Sequence, residues 1–506
     1  MKKSLKIFAS CISLIALMQF NVSAQNEVDA LRFSELDWQG TARFMGAGRA
    51  FGAVGAEFSA LNTNPASIGL YKKSDITFTP MTLSIYKNTS GYNGSNTLAQ
   101  GVKYNVGSAG MVLAIPGISS TLWKKFQVGF GYNRIKNYGT IFSVKGRNDG
   151  STMGSVFAGE AYGLDYLDLD NDNVPQGPGY AEAWIGWRAW LLNDVTETSY
   201  SARMKGVDMF QSSTVIRTGG NDEMVFSFGA NYDDQLFLGA TLGVPIINFT
   251  ENRTYIEEND ISANANKWQF QKLTMTDRLN IRAAGINLKL GILYQPADFF
   301  RIGAAFHTPT YYGNVRDFFE RRLSADFWEW RTTADGNPVK RDFTAEDDYA
   351  NRFNYSLTTP LRAMANMAFL IQQRAFISME YEFTDYSTIN MYSVGYDFRK
   401  ENENIQELYG FSHIARIGAE INLSEVFAIR AGYNYISSPY KDNINDGSKH
   451  YASAGFGFRT KVFYSDFAYA FMTSKEKYWM FDPDFVNVAK NQFITHRVMV
   501  TMGVRF

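Results

Sequence analysis

The segment from Ala181 to Asn193 concentrates residues that could bind an apolar ligand. Its large apolar side chains recur at spacings of three and four, which predicts one face of a helix. They are Trp184, Trp187, Trp190 and Leu191. An exposed apolar surface of this kind is typical of a binding site for a hydrophobic small molecule. Packing on the core of the same loop, or location at a membrane interface, would also explain the tryptophans, so these interpretations stay open.

A second aromatic cluster could form the opposite wall of a ligand groove. It consists of Phe318, Phe319, Phe327, Trp328 and Trp330. Arg321, Arg322 and Arg331 lie among these residues and could bind a carboxylate group. Because Glu320 and Glu329 are interleaved with the arginines, ion pairs within a solvated loop are the favoured interpretation.

An acidic segment resembles a calcium-binding loop only in part. Asp168, Asp170 and Asp172 have the alternate spacing of such a loop. However, Asn173 stands where the glycine is required, and Gly179 stands where the twelfth-position glutamate is required. The sequence therefore predicts a solvated acidic loop, and calcium binding remains the alternative.

Catalytic chemistry has little support in the sequence. The four histidines are scattered at positions 307, 413, 450 and 496, with no spacing typical of a metal or haem site. Ser412 and His413 cannot act as a nucleophile and its base, since neighbouring strand residues point to opposite faces. His496 falls on the apolar face of the last strand. We predict no enzymatic activity, no metal and no cofactor, with an outer-membrane lipase as the remote alternative.

Composition narrows the classes of protein that could position these residues. The chain has 506 residues with 49 Lys and Arg against 50 Asp and Glu, so it lacks the basic patch of a nucleic-acid-binding protein. Aromatic residues make up 15% of the chain, which excludes a disordered polymer. A single cysteine excludes a zinc scaffold or a disulfide framework.

Residues 1–24 have the features of a secretory signal peptide. Lysines precede an apolar run from Ile7 to Phe20, and Val22-Ser23-Ala24 supplies the small residues for cleavage. The run is too short to span a bilayer as a helix. Cys11 lies inside it, and lipidation there is the alternative to simple cleavage. We therefore expect an exported protein.

Alternation of apolar and polar residues with a period of two recurs along the exported chain, as in segments 286–294 and 494–506. The polar positions hold Gly, Ser, Asn and charged residues, which is typical of a barrel lumen. Fifteen candidate strands span 75–87, 105–116, 126–143, 203–217, 223–232, 236–249, 282–295, 299–308, 353–371, 374–386, 412–423, 426–437, 450–460, 461–472 and 491–506. Since bacterial barrels have an even number of strands, we predict fourteen, with sixteen as the alternative.

The connections and the chain end support a transmembrane antiparallel β-barrel over residues 71–506. Tight turns alternate with long connections at 144–200, 250–280 and 308–351, the arrangement of short periplasmic turns and long extracellular loops. Phe506 ends the last strand with an aromatic residue, a feature similar to the signal that the barrel-assembly machinery reads. A secreted all-β protein and a non-selective, structural or adhesive barrel remain alternatives.

Residues 25–70 do not alternate and are rich in Gly and Ala with short helical stretches. We predict that they form a hatch that plugs the lumen, because a barrel of this width cannot be filled by strand side chains. Several motifs in this order resemble the FadL family of outer-membrane transporters. They are Gly46-Ala47-Gly48-Arg49-Ala50-Phe51, Ala60, Asn64-Pro65-Ala66, Tyr294-Gln295-Pro296, Phe300-Arg301-Ile302-Gly303, His307-Thr308-Pro309-Thr310 and Phe427-Ala428-Ile429-Arg430-Ala431-Gly432-Tyr433.

This resemblance implies passive uptake of hydrophobic compounds, above all long-chain fatty acids, across the outer membrane of a Gram-negative bacterium. The family is described as capturing ligand between extracellular loops, passing it to an apolar pocket and releasing it sideways through a kinked strand while the hatch gates the path. Carried over here, the resemblance implies hatch or gating roles for Gly46, Gly48, Asn64, Pro65 and Ala66. A simple structural turn is the alternative for the last three. Expected partners are the hydrophobic ligand, outer-membrane lipids and the barrel-assembly machinery, with a monomeric barrel.

Overall fold

The computed structural model describes residues 27–117, 120–148, 150–171, 180–204, 208–259, 269–332, 335, 338–372, 374–441 and 444–506. For residues 269, 329–332 and 338–343 it describes the backbone alone. The predicted signal peptide at 1–24 lies outside the described residues and stays a prediction.

Helices are few and short. They are α1 (Glu27–Ser34), α2 (Ala42–Gly46), α3 (Met153–Glu160), α4 (Tyr166–Leu169), α5 (Tyr180–Arg188) and α6 (Arg399–Leu408), with 3-10 turns at Phe58–Asn62, Pro65–Leu70 and Tyr386–Thr388. None of the helices in the described ranges is long and apolar enough to cross a membrane.

Strands dominate the remainder of the described chain. They are β1 (Asp75–Tyr92), β2 (Ser95–Asn105), β3 (Ser108–Pro116), β4 (Trp123–Asn137), β5 (Thr140–Asn148), β6 (Leu192–Thr196), β7 (Ser199–Ala202), β8 (Met209–Tyr232), β9 (Leu236–Asn259), β10 (Gln269–Ala297), β11 (Phe300–His307), β12 (Tyr311–Thr332), β13 (Pro338–Thr358), β14 (Arg362–Ile371), β15 (Ala375–Asp385), β16 (Asn390–Tyr392), β17 (Phe411–Asn422), β18 (Phe427–Ile436), β19 (Lys449–Arg459), β20 (Phe463–Tyr478) and β21 (Ala489–Arg505).

These strands form a closed antiparallel barrel of fourteen crossings, which confirms the predicted fold class and strand number. Five crossings consist of two successive strands each, namely β2 with β3, β4 with β5, β11 with β12, β13 with β14 and β15 with β16. The first and last strands pair along their length, for example Ile76 with Val504 and Ile85 with His496, so the barrel has no free edge. Strands β6 and β7 form a separate hairpin in a loop.

Two of the fifteen predicted strands are parts of one strand. The candidates 203–217 and 223–232 are a single strand, β8, which begins at Met209. Gly219 interrupts its alternation with a φ of 101°, a conformation open to glycine, and the strand continues past this irregularity. Merging the two candidates gives the even number that barrel closure requires.

Two of the three predicted long loops are wrong. Segments 250–280 and 308–351 are largely strands, because β9 with β10 and β12 with β13 form hairpins that rise beyond the rest of the barrel. Their inner faces mix apolar residues such as Met275 and Phe319 with buried charged residues such as Asp277 and Arg321, so no regular apolar alternation revealed them. Strand β2 was also missed. The segment 144–200 also begins inside β5, but it then forms the predicted long connection, with helices α3 to α5.

Side chains alternate between the lumen and the outside of the barrel. On β21, Thr495, Arg497 and Thr501 are buried toward the lumen, whereas Met502 and Val504 are exposed on the outer face. The outer face of β10 is likewise apolar and exposed. An apolar exterior around a polar interior is the arrangement of a transmembrane barrel.

Residues 27–70 lie inside the barrel, and we call them the hatch. Nearly every side chain in this segment is buried, including Trp38, Phe44, Phe51 and Phe58. Its last turn, Pro65–Leu70, packs against strands β8, β9 and β10. The structure therefore confirms the predicted plug in the lumen.

Candidate functional site: the hatch, two cavities and a kinked wall

Buried ion pairs hold the middle of the hatch to the barrel wall. The guanidinium of Arg43 donates two hydrogen bonds to Glu420, at 2.9 and 2.8 Å. Arg430 also donates to Glu420 and forms an ion pair with Asp466 at 2.7 Å. Arg459 lies 3.7 Å from the Glu420 carboxylate. Glu420 therefore compensates three cations at once, one of which belongs to the hatch.

A second ionic cluster surrounds the segment after α1. Glu35 accepts hydrogen bonds from Lys136 at 3.0 Å and Lys449 at 2.7 Å. Burial alone would raise the pKa of Glu35, but the two lysines outweigh it and lower the pKa to about 2. Asp37 forms an ion pair with Arg49 within the hatch at 2.8 Å and with Arg497 of the wall at 3.4 Å. Both carboxylates thus stay charged and tie the hatch to the wall.

The predicted gating glycines lie where the hatch touches wall backbone. Gly48 has a φ of 64°, and a Cβ there would lie 2.5 Å from the carbonyl oxygen of Ile417. Across the contact, a Cβ on Gly432 would lie 2.2 Å from the backbone nitrogen of Gly48. Gly46 is less crowded, with its nearest contact at 3.4 Å to Ala468. Paired glycines therefore allow a close approach of hatch and wall, and a gating role remains a proposal.

The Asn64-Pro65-Ala66 motif begins the last turn of the hatch. The Asn64 side chain accepts a hydrogen bond from the backbone nitrogen of Ala66 at 3.0 Å and caps the 3-10 turn. Its amide nitrogen donates to Oδ1 of Asn366 on the wall, also at 3.0 Å. Pro65 occupies the first position of the turn, where its missing N–H costs nothing. The motif is a structural turn that also binds the wall.

Replacing Asn64 by Ala removes both interactions. Loss of a cap costs about 1 kcal/mol, and the buried Asn366 amide loses a partner at about 1 to 3 kcal/mol. We expect hydrogen exchange of hatch amides to become at least tenfold faster in the Asn64→Ala variant. Asn96→Ala, on an exposed hairpin tip, is the matched control and should leave exchange unchanged. Equal exchange in both variants would show that the motif does not hold the hatch.

A cavity of about 310 Å³ lies above the hatch, on the side of the long loops. Its volume is at the lower end of the range of small-molecule pockets. Helix α1 forms its floor through Val28, Asp29 and Arg32. Much of its wall is apolar, contributed by Met153, Val156, Phe157, Met275, Leu279, Phe319, Leu408, Tyr409, Tyr440, Tyr478, Trp479 and Phe481.

Charged groups also line this upper cavity, and several of them are paired with one another. Arg217 forms an ion pair with Glu251 at 2.6 Å, and Arg253 forms one with Asp277 at 2.6 Å. On the floor, burial raises the pKa of Asp29 to about 6, although the neighbouring Arg32 opposes the shift. The lining therefore combines apolar surface with compensated charge.

A lower cavity of about 220 Å³ lies beside the hatch and reaches the wall. It shares with the upper cavity the residues Val28, Arg32, Arg217, Tyr440 and Glu476. Its other lining residues include Tyr86 of β1 and the segment 136–140, where β4 passes into β5. The two cavities thus follow one another from the loop side of the hatch toward the wall.

The wall is kinked beside the lower cavity. Strand β4 ends at Asn137 and β5 begins at Thr140, and within the described ranges no backbone ladder joins β5 to β2. Asn88, whose side chain faces the lumen from β1, donates to Oγ1 of Thr140 at 3.2 Å and to the carbonyl of Ile141. Strand β5 therefore lies on the lumen side of the β1–β2 hairpin. The consequence is an interruption in the hydrogen-bonded wall.

The predicted tryptophan face is divided in the structure. Helix α5 ends at Arg188, short of Trp190, which has a φ of 62° and is 47% exposed. Trp184 is buried and donates to the carbonyl of Asn171 at 2.8 Å. Trp187 is half-buried against Tyr200, and Leu191 is fully buried. The helix prediction is thus wrong beyond Arg188, because the chain turns left-handed at Trp190, and a ligand role for these residues remains a proposal.

The second aromatic cluster lies on the long hairpin β12–β13 rather than in a loop. Phe319 lines the upper cavity, and Phe327 is buried against Phe270. Phe318 and Trp328 are half-buried, and the side chain of Trp330 lies outside the description. Arg321 does not present a free cation, because it donates to Asp277 at 2.7 and 2.9 Å. Arg321 is thus paired with a carboxylate of the protein, but the partner is the distant Asp277 rather than Glu320 or Glu329, and the pair is buried rather than solvated.

The remaining sequence candidates lie apart from the cavities. Ser412 faces the lumen and His413 faces outward, as the alternation predicts. Asp168 and Asp170 are exposed, and the predicted third ligand, Asp172, lies outside the described residues. In the part of the chain that the structure describes, no three His, Cys, Asp or Glu side chains come together as a metal site.

Sequence reasoning missed most of the cavity. Met153, Phe157, Met275 and Tyr478 come from separate helices and strands, and each resembles an ordinary apolar residue of its element. Phe319 and Arg321, which also line the cavity, belonged to the second aromatic cluster that the sequence indicated. The kink at 138–140 had one local signal, Gly139, which interrupts a run of alternating residues.

No protein-family model and no curated protein sequence matches the chain. Among solved structures, it is similar to a FadL homologue of Pseudomonas aeruginosa, at 13% identity and a TM-score of 0.52, over 93% of this chain and 98% of that one. It is also similar to the toluene transporter TodX of Pseudomonas putida, at 12% identity and a TM-score of 0.49, over 93% and 99%. The toluene transporter TbuX of Ralstonia pickettii has 15% identity and a TM-score of 0.44, over 92% and 99%. The chain thus has the FadL-like fold that its motifs predict.

Proposed function

We propose that this protein is an outer-membrane channel for passive uptake of hydrophobic compounds, with long-chain fatty acids as the principal cargo. The observation that carries the proposal is the succession of an apolar upper cavity, a lower cavity and an interrupted wall. The hatch fills the lumen below, which favours this route over an open aqueous pore. Release into the aqueous periplasm would expose the apolar surface of the cargo to water, which is unfavourable. Release through the wall into the bilayer keeps that surface in an apolar environment.

Cargo would enter from the extracellular loops and bind in the upper cavity. Passage to the lower cavity requires movement of the side chains that the two cavities share, above all Arg32 of the hatch and Arg217 of the wall. Hatch movement is therefore coupled to the opening between the cavities. From the lower cavity, cargo would leave between β2 and β5, where no backbone hydrogen bonds have to break.

Long-chain fatty acids fit the composition of the upper cavity. The alkyl chain would contact apolar residues such as Phe157 and Met275, and the carboxylate would replace a protein carboxylate at Arg217 or Arg253. We further propose that the half-buried Trp187 and exposed Trp190 contribute to capture before entry. The remaining expectations stand as proposals: a Gram-negative outer-membrane location, a monomeric barrel, no catalysis, and recognition of Phe506 by the assembly machinery.

Uptake of labelled oleate into a host that lacks its own fatty-acid channel tests this function. We expect a severalfold higher initial rate with the protein than with an empty vector, at a measured amount of folded barrel in the outer membrane. Trp187→Ala with Trp190→Ala should lower the rate if the loop captures cargo, whereas Val394→Ala, on a fully exposed loop position, is the control. Uptake no faster than the vector, with folded barrel present, would refute fatty-acid transport.

A further inference from the structure

Three of the four histidines occur in one repeated arrangement on the outer face of the barrel. In each, a tyrosine hydroxyl lies within hydrogen-bond distance of Nδ1 of a histidine on the neighbouring strand. The pairs are Tyr381 with His413 at 2.6 Å, Tyr433 with His450 at 2.7 Å, and Tyr469 with His496 at 2.6 Å. All three hydrogen bonds are exposed on the outside of the barrel.

The strand register of the three pairs is identical. Each histidine lies directly opposite a second aromatic residue, two positions after the tyrosine on the same strand. These residues are Phe383 opposite His413, Tyr435 opposite His450, and Phe471 opposite His496. The same arrangement thus occurs on three successive strand pairs, β15–β17, β18–β19 and β20–β21. In each, the first strand carries a Tyr-x-aromatic segment and the second carries the histidine.

The three pairs also lie at one height. Each histidine precedes the last residue of its strand by nine positions, where the strands end at Asn422, Arg459 and Arg505. Nine residues of a tilted strand rise by about 20 Å, so each histidine lies about 20 Å above the periplasmic turns. The apolar band of such barrels is about 25 Å tall, so the pairs lie near its extracellular edge, at the outer-leaflet interface.

An aromatic girdle explains the tyrosines at this height but not the histidines. A polar imidazole that faces lipid is costly unless its nitrogens have partners. When the tyrosine O–H donates to Nδ1, the hydrogen of the ring lies on Nε2, which remains a donor at the membrane interface. The arrangement therefore orients one donor, or a cation when the ring is protonated, toward lipid head groups.

We propose that the three Tyr–His pairs bind phosphate groups of outer-leaflet lipids and so hold a row of lipids against this half of the barrel. The surroundings differ between the pairs. Lys87, two positions after Ile85, which pairs with His496, and Lys475 are exposed on the water side of that pair. Asp385 instead lies on the water side of His413, opposite Phe411. Binding is therefore strongest at His496 and weakest at His413. The proposal requires a membrane-spanning barrel but no transport.

Native mass spectrometry of the purified barrel in a non-ionic detergent tests this inference. The probe is dioleoyl phosphatidic acid. We expect wild-type protein to retain up to three lipids that the His413→Gln, His450→Gln, His496→Gln variant loses, with an apparent affinity about tenfold lower. Of the single variants, His496→Gln should have the largest effect. Tyr381→Phe with Tyr433→Phe and Tyr469→Phe should give a smaller loss.

Matched controls separate this proposal from general lipid adhesion. Ile417→Ala, Phe456→Ala and Met502→Ala change exposed residues on the same strands, closer to the periplasmic turns, and should not alter retention. Equal retention of dioleoylglycerol, which lacks the phosphate group, or unchanged retention by the triple glutamine variant, would overturn the proposal. Displacement of the lipid by an equal concentration of inorganic phosphate would also overturn it, because the site would then bind soluble phosphate.

Discussion

Replacing Glu420 by Gln is expected to open the lumen to ions. In the wild-type structure Glu420 compensates Arg43 of the hatch together with Arg430 and Arg459 of the wall. Glutamine keeps the shape of the side chain but leaves these buried cations without their shared charge. Loss of one partner from a buried pair costs about 3 to 5 kcal/mol, so the unseated fraction of the hatch should rise by about two to four orders of magnitude.

Single-channel conductance in planar bilayers measures this effect. Wild-type barrels should show rare, brief openings, and the Glu420→Gln variant should show frequent large ones. Glu425→Gln, on the exposed turn after the same strand, removes the same charge without touching the hatch and is the control. Circular dichroism should confirm that both variants retain the barrel. If the Glu420→Gln variant opened as rarely as the wild type, contacts other than those of Glu420 would hold the hatch.

Filling the upper cavity is expected to reduce oleate uptake by at least tenfold. Met275 lies on β10, buried in the cavity lining, so a tryptophan at this position places an indole in the space proposed for the alkyl chain. Overpacking also costs about 1 to 3 kcal/mol, which a fourteen-strand barrel tolerates. The loss should appear as a lower rate at all oleate concentrations, because cargo and indole compete for the same volume.

The control for this substitution lies on the outside of the same barrel. Met379 is 41% exposed on the lipid-facing side of β15, so Met379→Trp makes the same chemical change away from the cavity. We expect uptake by Met379→Trp to equal that of the wild type, with similar amounts of folded protein. If both variants transport equally, the upper cavity does not lie on the route of the cargo.

The barrel could be predicted from the sequence because its two faces differ sharply in hydropathy within the membrane. The prediction weakened where that contrast ends. Strands β9, β10, β12 and β13 continue beyond the bilayer, where the outer face is no longer apolar and the inner face mixes apolar with charged residues, so they resembled loops. The division of β8 into two predicted strands at Gly219 has a different cause, since a glycine within a strand cannot be told from a glycine in a turn by the local sequence.

The hatch could be recognised in the sequence, but the contacts that hold it to the wall could not. Gly48 stood out in the sequence, while its counterpart Gly432 became meaningful only once the two backbones were seen in contact. Similarly, Glu420 is one of many acidic residues on lumen-facing positions, and its role depends on Arg43, which is 377 residues away. Cavities share this property, because their walls are assembled from distant elements that carry no common motif.

If hydrophobic cargo leaves the barrel through the interrupted wall between β2 and β5, as we propose, a covalent link across that wall must block uptake. A Cβ on Gly101 would lie 3.0 Å from Cγ2 of Ile141, so cysteines at these positions could form a disulfide across the interruption. The only native cysteine, Cys11, lies in the predicted signal peptide. Ile85→Cys with Val102→Cys, across the existing β1–β2 ladder, supplies the control disulfide.

The decisive measurement is the initial rate of labelled oleate uptake by the Gly101→Cys, Ile141→Cys protein, first oxidised and then reduced. We expect uptake to fall to the vector level when the disulfide forms and to return when it is reduced, while the control disulfide has no effect. Full uptake by the oxidised protein, with the disulfide verified by mass spectrometry, would contradict exit through this part of the wall.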